Sequence, residues 1–117
     1  ALIYEIVKLV YEESEPISIE TSYIPCDVVP NLSLEEIEKH STTRVLKNFT
    51  QHSITNSNQK ITLVYTNQPE SKLLSRDLGS PVMKHKGFVY DNMGNLVLFF
   101  ENIMLMERFA FFRKLSN

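Results

Sequence analysis

Two β-rich runs at the start of the chain constrain its fold more than any other feature. Residues 3–11 and 17–24 are rich in Ile, Val, Leu and Tyr, and charged or turn-forming residues bound each run, as in β-strands. The segment between them, EESEP at residues 12–16, is too short for a helix. We therefore predict that the two strands pair as a hairpin, with Pro16 at the start of the returning strand, where its missing N–H does little harm.

Three helices are predicted from the residues at their starts. Ser33 followed by Glu36 matches a capping box and predicts a short helix over residues 34–39. The hydroxyl groups of residues 41–43 offer N-caps for a second helix of about ten residues, and Pro69 suits the first turn of a third. The apolar residues predicted to face inward are Val45, Leu46 and Phe49 in the second helix and Leu73, Leu74 and Leu78 in the third.

Four further strands are predicted, over residues 60–66, 82–91, 96–106 and 109–115. The turn NMGN at residues 92–95 joins two of them, and Gly94 can take the positive φ that such a turn needs. Because short turns join most consecutive strands, we predict an α+β domain with a mostly antiparallel sheet flanked by helices.

Composition and charge exclude several classes of function. The chain has 117 residues, a net charge of −2 and one cysteine, Cys26, so we expect one domain without a disulfide, a zinc site or direct nucleic-acid binding. No stretch approaches the roughly 18 to 20 apolar residues that span a bilayer. We expect a soluble cytoplasmic protein that does not bind membranes and has no cofactor, metal site or catalytic residue.

Several short motifs stand in a characteristic order along the chain. They are YEIVKL (residues 4–9), EPI (15–17), ETSYIP (20–25), LL (73–74), SPV (80–82) and YD (90–91) with Gly94. No single motif is specific, but their combination resembles the UTRA domain, the ligand-binding half of HutC-type transcription regulators in the GntR family. The resemblance covers nearly the whole chain.

The resemblance implies a fold similar to chorismate lyase and a homodimer that binds a small-molecule metabolite, such as a sugar phosphate. In such regulators an N-terminal winged helix binds DNA, and the metabolite changes its affinity for the operator. We expect residues 1–117 to be the effector-binding domain, without its first strand and without the winged helix. DNA would then be contacted only through the missing N-terminal domain.

The resemblance also implies site residues. Relatives carry an Arg-x-Arg pair where this chain has Lys8 and Val10, and a Glu at the position of Glu20. Lys lacks the bidentate fork of Arg and Val removes the cation, so a sugar phosphate becomes one option among several effectors. Ser41 and Thr42 stand at a helix start where relatives hold effector oxygens, although N-capping explains the same residues.

The spacing of the first hairpin supports a pocket without reference to relatives. If the loop consists of residues 13–15, Glu12 faces Pro16 and Lys8 lies directly across from Glu20. An ion pair among hydroxyl and apolar groups is the composition of a small polar-ligand site. The alternative is an exposed cross-strand salt bridge, worth about 0.2–1 kcal/mol.

Two later residues complete the predicted effector site. Glu101 lies on a strand that is apolar on both faces, so its carboxylate must be paired or line a cavity unless it reaches solvent at a strand end. Phe109 keeps the aromatic ring of a D-r-y motif of the relatives, and core packing is the alternative role for it.

Two other functions remain open. The loss of Arg at Val10 and the apolar last strands would also suit a dimerisation module that no longer senses a ligand. The kinship with chorismate lyase raises an enzyme, for which Glu20 and Glu101 would be the acid/base pair, but the sequence has no His-x-x-x-His motif, Gly-rich phosphate loop or Ser elbow. Ligand-induced stabilisation would separate a sensor from a dimerisation module.

Overall fold

The computed structural model describes residues 2–49 and 54–108, which form a five-stranded antiparallel sheet with helices on both faces. The strand order is β1-β2-β5-β4-β3, so the predicted α+β class is confirmed. The predicted strand over residues 109–115 lies outside the described residues. The elements are β1 (Ile3–Glu12), β2 (Glu15–Pro25), α1 (Leu34–Lys39), α2 (Thr42–Phe49), β3 (Ile54–Tyr65), α3 (Gln68–Leu74), β4 (Pro81–Asp91) and β5 (Leu96–Leu105).

The first hairpin has the predicted pairing but a different turn. Glu13 and Ser14 form a two-residue turn in which both φ angles are positive, 49° and 71°, as the twist of a tight hairpin requires. The predicted three-residue loop is therefore wrong. A bulge at Ile17 then inserts one residue into β2 and restores Lys8 opposite Glu20.

Each face of the sheet carries its own apolar cluster. We call the face that packs against α1 and α2 the α2 face, and the other the α3 face. Burying a side chain such as Leu46 or Leu74 stabilises the fold by about 1.5–3 kcal/mol, so these clusters fix the helices on the sheet. The buried cluster of the α2 face is Ile6, Ile24, Val29, Leu46, Val89, Val97 and Leu98, and that of the α3 face is Ile17, Ile19, Leu74, Val82, Ile103 and Leu105.

The helix starts follow the predicted capping. Ser33 Oγ accepts the backbone N–H of Glu36 at 3.2 Å, and Ser41 Oγ accepts that of Arg44 at 3.2 Å. Pro69 lies in the first turn of α3, as predicted.

The end of α3 and the start of β3 differ from the predictions. Ser75 takes a left-handed conformation and ends α3 at Leu74, so Leu78 is exposed. Leu73 is exposed as well, and only Leu74 of the three predicted inward leucines is buried. β3 begins at Ile54 rather than at residue 60, which adds Gln59 to the sheet. None of the helices described is long and apolar enough to cross a membrane.

Candidate ligand-binding site

A row of polar side chains crosses four strands on the α2 face. Lys8 on β1 lies directly opposite Glu20 on β2, Glu20 lies opposite Asn102 on β5, and Asn102 lies opposite His85 on β4. We call these four residues the polar row. The next row towards the buried cluster of the α2 face reads Ile6, Ser22, Phe100 and Gly87, and the row on the other side reads Val10, Ser18, Met104 and Met83. The polar row is thus a strip of hydrogen-bonding groups across a more apolar surface.

A cavity of about 430 Å³ lies between this strip and α2. Its volume falls within the range of roughly 300–1,000 Å³ that small-molecule sites occupy. Apolar and polar side chains share the lining, which is the usual composition of a ligand pocket. The lining residues are Glu20, Ser22, Ser41, Thr42, Leu46, Gln59, His85, Val89, Leu98, Phe100 and Asn102.

The start of α2 forms the roof of the cavity. Leu46 is fully buried in the cluster beneath and fixes the helix on the sheet. Ser41 and Thr42 stand at the first turn, and Thr42 Oγ1 lies 3.4 Å from Ser22 Oγ on the floor. This contact joins α2 to β2 across one edge of the cavity.

Phe100 and Gly87 shape the floor. A Cβ atom at position 87 would lie 2.9 Å from Phe100 Cζ and 3.0 Å from the carbonyl oxygen of Asn58, closer than side chains tolerate. The absence of a side chain at Gly87 therefore lets the Phe100 ring lie against β4. The ring meets His85 edge-on, with centroids 5.0 Å apart and an interplanar angle of 78°, so Phe100 also supports the imidazole.

His85 is held as a neutral hydrogen-bonding group. Its Nε2–H donates to Gln59 Oε1 at 2.7 Å. Burial lowers the pKa of His85 below its ordinary value of 6.5, because a charged imidazolium loses solvation there. Burial thus favours the uncharged form of the ring.

Asn102 contributes an unused acceptor next to His85. Its side-chain Oδ1 is buried and has no hydrogen-bond partner within the described part of the chain. A buried acceptor left unpaired costs about 1–3 kcal/mol. Because this atom is closed to solvent, a donor on a molecule in the cavity would reach it only after the side-chain amide turns.

The structure brings three of the predicted site residues together and separates the others. Glu20, Ser41 and Thr42 line the one cavity. Lys8 borders a small adjoining space next to Thr42, and its Nζ donates to the carbonyl oxygen of His40 at 2.7 Å. No Lys8–Glu20 ion pair occurs among the described residues, so that predicted contact is wrong. Phe109 lies outside the described residues.

Glu101 lies on the α3 face, away from this cavity. Its carboxylate pairs with Lys84 Nζ at 2.9 Å, and it borders a separate cavity of about 230 Å³ with Thr21 and Tyr23. This carboxylate thus has an ion-pair partner and also lies at a cavity wall, with about one-third of its side chain exposed, but it shares no pocket with Lys8 and Glu20. No cluster of potential metal ligands occurs in residues 2–49 and 54–108.

Sequence reasoning missed four polar or aromatic residues of the cavity, namely Gln59, His85, Phe100 and Asn102. All four lie on β3, β4 or β5. Their shared face follows only from the pairing of these strands. Counting pairs back from the turn at residues 92–95 is the signal that comes nearest to finding them.

Comparison with known proteins gives one family and one fold. Residues 1–110 match the family model described as the UTRA domain. A comparison with curated proteins finds no match. Three of the solved structures that are similar to the chain show the extent of the likeness.

A GntR-family transcriptional regulator from Enterococcus faecalis V583 is 22% identical with a TM-score of 0.82, over 91% of this chain and 76% of that one. A possible transcriptional regulator, YydK from Bacillus subtilis, is 19% identical with a TM-score of 0.80, over 90% and 47%. The effector binding domain of the B. subtilis trehalose repressor is 17% identical with a TM-score of 0.76, over 90% and 72%. At these identities the likeness shows the fold, and the chain spans less than half the length of YydK.

Proposed function

Because the chain belongs to the UTRA domain family, we propose that it is the ligand-sensing domain of a GntR-type transcription regulator of the HutC class. A small-molecule effector would bind in the cavity beneath α2. Its binding would change the affinity of a winged-helix domain elsewhere in the regulator for DNA, within a homodimer in the cytoplasm. A sugar phosphate is one candidate effector from the family resemblance.

The observation that carries this proposal is the cavity between the polar row and the start of α2. A ligand shifts a conformational equilibrium only through contacts that differ between the two states. A molecule in this cavity would touch α2 and the sheet at once, so it would favour the state in which α2 packs closely. The contact of Ser22 Oγ with Thr42 Oγ1, at 3.4 Å, already links the two sides. α2 is therefore the element that we expect the ligand to stabilise.

Ligand-induced stabilisation tests the proposal. The melting temperature of the chain would be measured against sugar phosphates, amino-acid derivatives, amines and fatty acids, because a binder stabilises the folded state in proportion to RT ln(1 + [L]/Kd). We expect at least one class to raise the melting temperature. Turnover of a compound in the same assay would instead indicate an enzyme.

A matched pair of variants ties binding to this cavity. Ser22→Leu would fill the cavity floor, while Thr21→Leu introduces the same side chain on the α3 face of the same strand. We expect the first variant to abolish the stabilisation and the second to keep it. Equal responses of the two variants, or no response to any class, would overturn the proposed sensing role.

The regulatory part of the proposal needs the longer regulator. Operator binding would be measured with and without the stabilising compound, and sedimentation would give the oligomeric state. We expect the compound to change operator affinity and the protein to sediment as a dimer. An unchanged operator affinity would leave a binding domain without the proposed regulatory output.

A further inference from the structure

The charges around the cavity are unequal. Glu20 is the one acidic side chain among the described lining residues, and that lining contains no Lys or Arg. Lys8 lies on the side of Glu20 away from Asn102, and its ammonium group donates a hydrogen bond to the carbonyl oxygen of His40. Because burial favours the uncharged form of His85, Glu20 is the one residue of the polar row that brings a formal charge to the cavity lining.

Two side chains that carry acceptor oxygens are neighbours on the floor. The Glu20 carboxylate accepts hydrogen bonds when ionised, and Asn102 Oδ1 is a buried acceptor without a partner in the described part of the chain. These two side chains are directly paired neighbours on β2 and β5. A ligand that satisfies both must therefore bring several donors to one point.

Whether a cation is tolerated between Glu20 and Asn102 depends on its distances from Glu20 and from Lys8. Adjacent strands lie about 4.8 Å apart, so a charge placed between Glu20 and Asn102 is within about one strand spacing of the carboxylate. The backbone of Lys8 lies two strands from that of Asn102, about 10 Å away, and its ammonium group donates to the carbonyl oxygen of His40. Glu20 borders the cavity, whereas Lys8 is not among its lining residues.

The start of α2 carries the partial positive charge of the helix dipole, and it lies on the roof of the cavity, opposite the floor. The Ser41 hydroxyl there already accepts the N–H of Arg44. The side of the cavity towards the buried cluster is apolar, with Leu46, Val89 and Leu98 next to the Phe100 ring. A polar group at one end of the ligand and an apolar or aromatic body at the other would match both parts.

We propose that the cavity binds a small primary amine with an aromatic or aliphatic body, whose ammonium group donates to the Glu20 carboxylate and to Asn102 Oδ1. Phosphorylated and carboxylated compounds are disfavoured because Glu20 repels them. The inference rests on the proposed function, since it names the ligand class of the same cavity.

Isothermal titration at neutral pH with compounds of matched shape tests the charge. Tyramine, tyrosol and 4-hydroxyphenylacetate share one aromatic body and carry an ammonium, a hydroxyl and a carboxylate, and glucose 6-phosphate represents phosphorylated sugars. We expect tyramine to bind with a Kd below about 1 mM, at least tenfold tighter than tyrosol, and the two anions not to bind.

Two isosteric variants assign the effect to one carboxylate. Glu20→Gln keeps the volume but removes the charge, so we expect tyramine affinity to fall at least tenfold, to that of tyrosol. Glu101→Gln makes the same change on the α3 face and should leave the affinity unchanged. Equal affinities for tyramine in the two variants would overturn the assignment of the ammonium to Glu20.

The remaining outcomes separate the inference from the proposed function. Failure of tyramine to bind up to about 10 mM overturns the amine proposal. If glucose 6-phosphate binds in its place and Ser22→Leu abolishes that binding, the sensing function stands and only the ligand class is wrong. If none of the four probes or of the wider compound classes binds, both proposals fail together.

Discussion

Glu20 and Glu101 lie on neighbouring strands, one residue out of register, and their side chains are on opposite faces of the sheet. Glu20 borders the cavity beneath α2, whereas Glu101 pairs with Lys84 on the α3 face. The backbone of the sheet separates the two carboxylates, so they cannot act on one bound molecule. The acid/base pair considered for an enzyme is therefore not formed.

The Lys84–Glu101 ion pair is expected to contribute little to stability. Both side chains are about one-third exposed, so water screens the pair. We expect Glu101→Gln to lower the free energy of unfolding by no more than about 1 kcal/mol, measured by urea denaturation. Repeating the measurement at high salt should shrink the difference further. A loss several times larger would mean that the pair is effectively buried.

Lys8 is expected to act as a clamp between β1 and the junction of α1 and α2. Its Nζ donates to the carbonyl oxygen of His40 in a partly buried contact. Lys8→Met keeps the aliphatic stem but leaves that carbonyl without its charged donor, so we expect a loss of about 1–2 kcal/mol in urea denaturation. Faster amide exchange in α2 than in α3 would locate the effect. Uniform exchange changes would contradict the clamp.

Gly87 is expected to be intolerant of a side chain because of what surrounds it. A methyl group there would meet Phe100 Cζ and the carbonyl oxygen of Asn58 at about 3 Å. We expect Gly87→Ala to cost about 1–3 kcal/mol, measured by urea denaturation. Combining it with Phe100→Leu should cost less than the sum of the two single changes, because the smaller side chain removes the closest of these contacts.

The sequence was sufficient for the hairpin that carries Lys8 and Glu20. Apolar alternation and the short connection predict two paired strands. The predicted position of Lys8 directly opposite Glu20 is confirmed. The predicted turn was one residue too long, and the bulge at Ile17 compensated for the difference. The burial of three consecutive residues, 17–19, records this bulge, because side chains in a regular strand alternate between faces.

The other half of the cavity could not be predicted in the same way. With Tyr90 opposite Leu96, counting pairs back from the turn would place His85 opposite Glu101. A bulge between Val89 and Tyr90 shifts the register by one residue and puts His85 opposite Asn102 instead. Strand patterns do not show where a bulge falls, so a local irregularity decided which residues share the cavity.

His85 is expected to make folding stability depend on pH. Its pKa is lowered in the folded protein by burial, so the unfolded chain binds the proton more readily. Above the unfolded value of about 6.5 both states are neutral and His85 adds no pH dependence. As the pH falls below that value, the unfolded state is protonated first and stability is lost, until the folded pKa is passed and the loss is complete. We expect the free energy of unfolding to fall more steeply from about pH 7 to 5 in the native chain than in His85→Gln. Parallel curves would show that the imidazole is solvated and would remove the argument for a neutral ring in the polar row.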